Sequence, residues 1–109
     1  MKMVNAVVPP HTLDDVRRAL ERHAVLGMTI SEVHGCGRHP DGPVQRHRGV
    51  AVQVPWSPSV RVEAIVHDEL VERVLTDISG NVGVGGKLWV VPLDLVQRVR
   101  TGERGEDAI

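Results

Sequence analysis

The alternation of two hydrophobic patterns constrains the fold of this chain more than any other feature. Four short runs rich in apolar and β-branched residues are typical of strands, and two segments between them repeat their apolar residues at helical intervals. The predicted order is strand, helix, strand, long connection, strand, helix, strand. The predicted strands cover residues 3–8, 28–34, 60–66 and 87–91, and the predicted helices cover residues 12–27 and 68–80.

The first helical segment carries the clearest signals for its start and its end. Thr12 is predicted as the N-cap with Asp15 as its capping-box partner, and Gly27 is predicted to terminate the helix. The apolar face consists of Leu13, Val16, Leu20 and Ala24. Two such helices on one face of an antiparallel sheet give the ferredoxin-like β-α-β-β-α-β arrangement, so the sequence predicts an α+β fold.

The size and composition of the chain fit one compact domain. With 109 residues, 41% of them hydrophobic, a single domain over residues 1–109 is expected. The formal net charge is −1 and the chain has no Phe or Tyr, so nucleic acid is not an expected partner. Because no apolar run suits a signal peptide or a membrane span, we expect a cytoplasmic protein that meets membranes only through a partner.

The connection between residues 34 and 60 shows no hydrophobic period. It contains the stretch GCGRHPDGPVQRHRG, whose glycines and prolines disfavour regular structure. Structureless connections of this length inside a compact domain are usually functional or disordered. The sequence therefore predicts a mobile functional loop.

Two further features are typical of an anion site. Residues 81–87 (NVGVGGK) form a glycine-rich turn that leads to Lys87, so backbone N–H groups and one ammonium could converge on a phosphate. Arg98 and Arg100 are two residues apart, and in an extended segment they would point the same way and grip phosphate oxygens. Each feature has a plain alternative: a tight connection for the turn, and a solvated edge for the arginines.

Three segments, LDDVRRAL, GMTISEVHGCGR and RVRTGERGEDAI, together resemble the PII signal-transduction family, and the similarity runs nearly end to end. The resemblance implies a ferredoxin-like homotrimer that binds ATP or ADP in clefts between subunits, with Mg²⁺ as an accompanying ion. It implies a flexible T-loop at about residues 37–57 and a C-terminal segment at about residues 98–109. It further implies a regulator of energy and nitrogen or carbon status, which controls a membrane transporter or a metabolic enzyme through the T-loop.

The resemblance also assigns nucleotide-binding roles to individual positions. The phosphates are assigned to Arg38, Lys87, Arg98 and Arg100, and Glu63 is expected to pair with Lys87 when the site is empty or differently liganded. The full set is Gly27, Met28, Thr29, Gly35, Gly37, Arg38, Glu63, Ala64, Ile65, Gly85, Gly86, Lys87, Arg98 and Arg100.

Several departures from the family pattern concern the signal that is sensed. His39 replaces a glutamine that helps to hold Mg²⁺ and 2-oxoglutarate, and Ser59 replaces the lysine that pairs with the 2-oxoglutarate carboxylate. The chain contains no tyrosine, so it has no acceptor for uridylylation. The glycine turn before Lys87 is shortened, which could shift the nucleotide preference toward ADP or AMP. We therefore expect neither 2-oxoglutarate sensing nor uridylylation.

Two alternative functions remain at this stage. Cys36, His39 and His47 offer soft and imidazole ligands for a metal, although their spacing matches no structural zinc motif. A slow nucleotide hydrolase is the second alternative, with Arg61, Glu63 and His67 near the phosphates. Because no nucleophile, base and orienting residue can be assembled from the sequence, a regulator is favoured over an enzyme, with weak ATPase activity as a side reaction.

Overall fold

The computed structural model describes residues 1–36, 44–47, 50–53, 56–82 and 85–109, with residues 44–47 and 50–53 described by their backbone alone. The strands are β1 (Lys2–Val8), β2 (Thr29–Gly35), β3 (Val44–His47), β4 (Val50–Gln53), β5 (Ser57–Val66) and β6 (Lys87–Pro92). The helices are α1 (Leu13–Arg22) and α2 (Val71–Val82), and short 3₁₀ turns cover Pro10–Thr12, Asp68–Leu70 and Gly105–Ala108.

The main sheet has four antiparallel strands in the order β2-β5-β1-β6. In its register Asn5 pairs with Glu63 on one side and with Trp89 on the other, while Thr29 pairs with Glu63 and Gly35 with Ser57. This order, with both helices against one face, confirms the predicted ferredoxin-like α+β fold.

The core lies between the helices and one face of the sheet. Alternate residues of β1 and β5 point toward the helices, because side chains alternate across a strand. The buried apolar residues are Val4, Ala6, Val8, Val16, Ala19, Leu20, Val25, Val60, Val62, Ala64, Val66, Val74 and Ile78. The α1 face predicted from the sequence agrees at Val16 and Leu20, which are both fully buried.

The first helix is shorter than predicted at its C-terminal end. It stops at Arg22, and Ala24 adopts the left-handed conformation with φ of 58°. The N–H of Val25 donates to the carbonyl of Leu20 at 3.0 Å, and the N–H of Ala24 donates to the carbonyl of Glu21 at 2.9 Å. These two bonds form a Schellman motif with alanine at the position that usually carries glycine. The prediction that Gly27 ends the helix was therefore wrong.

The predicted capping box at the start of α1 is not formed. The hydroxyl of Thr12 donates to the carbonyl of Pro9 at 2.7 Å and makes no capping bond to the helix. Asp14 and Asp15 still lie in the first turn, where a negative charge is favoured by the helix dipole. Thr12 is the last residue of the preceding 3₁₀ turn, and its hydroxyl is bonded to the start of that turn and not to the helix.

The long connection contains regular structure that its sequence did not reveal. Strands β3 and β4 form a separate two-stranded antiparallel sheet, in which Val44 pairs with Gln53 and His47 with Val50. Strand β5 also begins at Ser57, earlier than the predicted residue 60. The other parts of the predicted T-loop, residues 37–43, 48–49 and 54–55, lie outside the described residues. Within the part of the chain that is described, neither helix has the length and apolar character to cross a bilayer.

Candidate functional site

One cleft has a volume of about 660 Å³ and lies where β2 begins and β5 ends. It brings together six of the residues assigned to the nucleotide from the sequence: Gly27, Met28, Thr29, Glu63, Ile65 and Arg98. The antiparallel register explains this grouping, because it places Thr29 beside Glu63. We call this space the β2-start cleft.

The C-terminal residues form one wall of the β2-start cleft. The chain folds back after Arg98: the N–H of Arg98 donates to the carbonyl of Glu103 at 2.9 Å, and the N–H of Gly105 donates to the carbonyl of Val96 at 2.9 Å. The fold brings Ala108 and Ile109 to the cleft. An apolar wall with a few polar groups is typical of a pocket for a small organic ligand.

Two predictions about this cleft were not met by the geometry of the chain. Arg98 and Arg100 do not lie in an extended segment, since the N–H of Gly102 donates to the carbonyl of Arg98 at 2.8 Å and residues 99–101 form a turn. Arg98 lines the cleft and Arg100 does not. Ala64 is only 3% exposed and faces the helices, so its side chain belongs to the core.

A second cleft, of about 400 Å³, lies at the opposite end of β2. It contains Gly35, Gly85, Gly86 and Lys87 from the predicted set, together with Cys36, Ser57 and Ser59. We call it the β2-end cleft. Lys87 lines this cleft, and across the described residues no carboxylate lies within ion-pair distance of its ammonium.

The glycines before Lys87 have a structural reason. Gly86 has φ of 121°, and a Cβ atom there would lie 2.8 Å from the carbonyl oxygen of Val7. A Cβ at Gly85 would lie 3.0 Å from the ring of Pro9. The loop therefore needs glycine to approach β1, which is the tight-connection alternative, and the same approach leaves the backbone open to the cleft.

The two clefts are separated by the length of β2. Six residue steps from Thr29 to Gly35 correspond to about 20 Å. Glu63 and Lys87 consequently lie in different clefts, and Glu63 contacts Arg61 instead, with Oε1 at 3.2 Å from Nε. That Nε has no aligned hydrogen bond among the described atoms, so the contact is an ion pair without a directed bond. The expected Glu63–Lys87 pair is not formed within one chain.

The sheet face away from the helices carries a polar cluster that the sequence patterns did not indicate. Asn5 is fully buried, and its side-chain carbonyl accepts a hydrogen bond from Arg61 at 3.3 Å. The guanidinium of Arg61 also lies over the ring of Trp89, at 5.5 Å from the centroid. These residues come from three strands, so only the sheet register relates them.

The remaining candidate residues are only partly covered by the structure. Gly37, Arg38 and His39 lie outside the described residues, and His47 is described by its backbone in β3. Cys36 is exposed and lines the β2-end cleft. Among the side chains that are described, no three His, Cys, Asp or Glu residues come close enough to hold a metal ion.

Sequence comparisons identify what the chain is similar to. The family described as "Nitrogen regulatory protein P-II" matches residues 1–103. Nitrogen regulatory protein P-II of Azospirillum brasilense is 39% identical over 114 aligned residues, and that of Haemophilus influenzae is 40% identical over 114. In both cases the alignment covers 100% of this chain and 100% of the relative. The chain thus belongs to the nitrogen regulatory protein P-II family, a family of signal-transduction regulators.

Proposed function

We propose that this protein binds ATP or ADP, with AMP as a further candidate, in clefts between the subunits of a homotrimer. The bound nucleotide controls a partner through the T-loop at residues 37–57, and the partner is a membrane transporter or a metabolic enzyme. Membership of a family of regulators supports a role in signalling rather than in turnover.

The separation of the two clefts is the observation that carries this proposal. The β2-start cleft offers apolar walls and Arg98, which suit a base and one phosphate oxygen. The β2-end cleft offers a glycine turn and Lys87, which suit phosphates. One chain keeps these groups about 20 Å apart, but a neighbouring copy could bring its own β2-end cleft against the β2-start cleft of the first.

A contact of this kind also explains why a ring would form. It joins two different surfaces of the same chain, and such head-to-tail contacts close into rings when the rotation between copies allows it. Three copies would then share three equivalent sites. Exposed apolar side chains beside the β2-start cleft support a covering partner, since Leu26 is 78% exposed and Val99 is 96% exposed in the single chain.

The signal sensed differs from that of a 2-oxoglutarate receptor. Ser57 and Ser59 occupy the wall of the β2-end cleft nearest Gly35, with the Ser59 hydroxyl 3.5 Å from the position of a Cβ on Gly35. A hydroxyl there cannot replace the ammonium that a dicarboxylate would need, and losing a charge-assisted bond costs about 1.5–3 kcal/mol. We propose that nucleotides, and not 2-oxoglutarate, set the state of the T-loop.

A mixing experiment tests the shared site. Lys87→Ala and Arg98→Ala each remove a phosphate contact, and both homotrimers should bind ADP at least about tenfold more weakly, a difference of 1.4 kcal/mol. In a trimer that contains both variants, one of the three clefts combines the wild-type Arg98 of one subunit with the wild-type Lys87 of its neighbour. Calorimetry should therefore detect tight ADP binding at that cleft. Arg18→Ala, which removes an exposed charge on α1, is the matched control and should bind as the wild type does.

Two outcomes would count against the proposal. If the mixed trimers recover no tight sites although each variant assembles, the two residues do not meet at a subunit contact. If the wild type binds no adenine nucleotide, with or without Mg²⁺, the ligand is wrong. A titration with 2-oxoglutarate in the presence of ATP tests the selectivity for nucleotides. Micromolar binding of 2-oxoglutarate would overturn the proposal that Ser59 prevents its recognition.

A further inference from the structure

An ionic cluster fastens the C-terminal residues to the start of the second half of the fold. Nδ1 of His67 contacts Oε2 of Glu106, in the last 3₁₀ turn. The α-amino group of Met1 donates to Asp68 at 2.6 Å and lies 3.7 Å from Oε1 of Glu106. Lys2 adds a contact of 3.6 Å with Asp68. We call this group the C-terminal clasp.

The clasp lies on the wall of the β2-start cleft. His67 lines the cleft directly, and so do Ala108, in the same 3₁₀ turn as Glu106, and Ile109, which follows that turn. A guanidinium nitrogen of Arg98, another lining residue, lies 3.5 Å from the carbonyl oxygen of Ile109. Releasing Glu106 would therefore loosen both the apolar wall and a partner of Arg98.

Among the described residues, few other contacts hold this wall against the sheet and the helices. Residues 101–104, 106, 107 and 109 are exposed, and Gly105 and Ala108 are only half-buried. The backbone bonds of residues 101–109 are local, because they reach no further back than Val96. The side chain of Arg104 likewise bonds only to nearby Gln97, at 2.8 Å. A segment with few buried apolar contacts opens at low free energy, so a single ionic contact has a large share in its position.

We propose that His67 is a positioning residue which acts through Glu106 to hold the C-terminal wall, so that the affinity of the β2-start cleft for its nucleotide responds to protonation of His67. This inference rests on the proposed function. An imidazolium attracts the carboxylate of Glu106 and a neutral imidazole attracts it less, and imidazole changes charge between roughly pH 5 and 8.

The other charged groups around His67 set the direction of this response. They are Glu106 in the last turn, Asp68 beside His67, and Lys2 and the α-amino group of Met1 on β1. The pKa of Asp68 is lowered, chiefly by the hydrogen bond from the N-terminal ammonium, so this carboxylate is ionised at neutral pH. Glu106 is the carboxylate in direct contact with His67, and the Asp68 carboxylate is engaged by the Met1 ammonium and Lys2. A positive charge on His67 therefore strengthens the contact with Glu106, so acidification tightens the clasp.

The first experiment measures ADP binding to the trimeric protein at about pH 6 and about pH 8. The affinity of the wild type for ADP should rise on going to the lower pH by about two- to fivefold more than that of His67→Asn. The asparagine amide keeps a neutral hydrogen-bond donor near the position of Nδ1. Comparison between variants cancels the protonation of ADP itself. His11→Asn, at an exposed histidine that lines neither cleft, should keep the wild-type response.

A second pair of variants tests the partner of His67. Glu106→Gln should lose the pH response as His67→Asn does, whereas Asp107→Asn, at the neighbouring exposed carboxylate, should retain it. If His67→Asn or Glu106→Gln shows the same pH response as the wild type, the positioning role is overturned.

Hydrogen exchange without nucleotide separates this inference from the proposed function. Protection of the Gly105 and Ile109 amides, corrected for the intrinsic pH dependence of exchange, should be higher at about pH 6 than at about pH 8 in the wild type, and equal in His67→Asn. Equal protection in both proteins at both pH values would overturn the clasp. Absence of ADP binding by the wild type would overturn the proposed function and the link to affinity, with the clasp decided by exchange alone.

Discussion

Two pairs of histidine and carboxylate join distant parts of this chain, and they differ in what surrounds them. Between α1 and α2, Asp77 accepts bonds from Arg22 at 2.6 and 2.9 Å and lies 3.1 Å from His23, with a side-chain exposure of 20%. In the C-terminal clasp, Glu106 is 60% exposed and meets His67 above an open cleft. The first pair reinforces helices that the core already fixes, whereas the second positions a segment with little burial of its own.

The largest effect is expected from the core beneath the helix pair. Ile78 is 1% exposed, so Ile78→Ala should lower the free energy of unfolding by about 2–4 kcal/mol through lost apolar contact and a cavity. Arg73→Ala, at an exposed residue of the same helix, shortens a side chain outside the core. Denaturant unfolding should show little change for this control. Similar losses in both variants would mean that the loss comes from α2 as a whole and not from a cavity at residue 78.

The next effect is expected at Asp77, whose replacement by Asn removes the charge that Arg22 and His23 share. The pKa of Asp77 is lowered from its ordinary value of 3.8, chiefly by the hydrogen bond from Arg22. Because the native pKa lies below the unfolded value, the stabilisation is present above that value and is lost as the pH falls through the native pKa.

Thermal unfolding checks this expectation as a function of pH. Wild type should be more stable than Asp77→Asn at neutral pH, and the difference in melting temperature should shrink below about pH 4. Asp14→Asn, at an exposed carboxylate of α1, is the control and should show a smaller difference. A difference that stays constant down to about pH 2 would show that the lost hydrogen bonds, and not the charge, matter.

A smaller change of opposite sign is expected at the end of α1. Ala24 has φ of 58°, and a left-handed alanine is strained where glycine is not. Ala24→Gly should therefore raise the free energy of unfolding by about 0.5–1 kcal/mol after the entropy of glycine is counted. Ala19→Gly, at a buried position inside the same helix, should lower it. If both variants lose stability, the Schellman motif is not the conformation in solution.

The smallest effect on stability is expected at the clasp itself. Glu106→Gln removes an exposed ion pair, and such pairs contribute about 0–1 kcal/mol. The free energy of unfolding should change by less than about 0.5 kcal/mol while the exchange of the C-terminal amides changes. A loss comparable to that of Ile78→Ala would show that the C-terminal turn belongs to the cooperative core, which would remove the contrast between the two regions.

The parts of the fold that depend on local patterns could be predicted from the sequence. The alternation over residues 60–66 and the apolar face of α1 are each formed by residues that are close together in the sequence. The spacing of their apolar residues therefore indicates a strand and a helix directly. The end of α1 was misplaced because an alanine takes the conformation usually given to glycine. The β3–β4 sheet was missed because its strands are only four residues long and lie among turn-forming residues.

In the candidate site, too, features with a local sequence signal could be predicted and features that depend on distant contacts could not. Resemblance to a family named several residues that line the two clefts, but it could not show that one chain keeps them at opposite ends of β2. The contact between His67 and Glu106 joins residues 39 positions apart and has no local signal. Arg61, Asn5 and Trp89 meet only through the register of three strands, which side-chain periodicity does not specify.

Gly86 limits what mutagenesis can reveal about the β2-end cleft. Any side chain there would press on the carbonyl oxygen of Val7, the residue that pairs with Lys87 across β1 and β6. A substitution meant to probe backbone contacts with a phosphate would thus shift the sheet edge that presents Lys87. If such a variant lost its ligand, the loss of backbone contacts could not be separated from the shift of the sheet edge. Mutagenesis of this cleft should therefore begin at Lys87, whose side chain can be shortened without moving the strand.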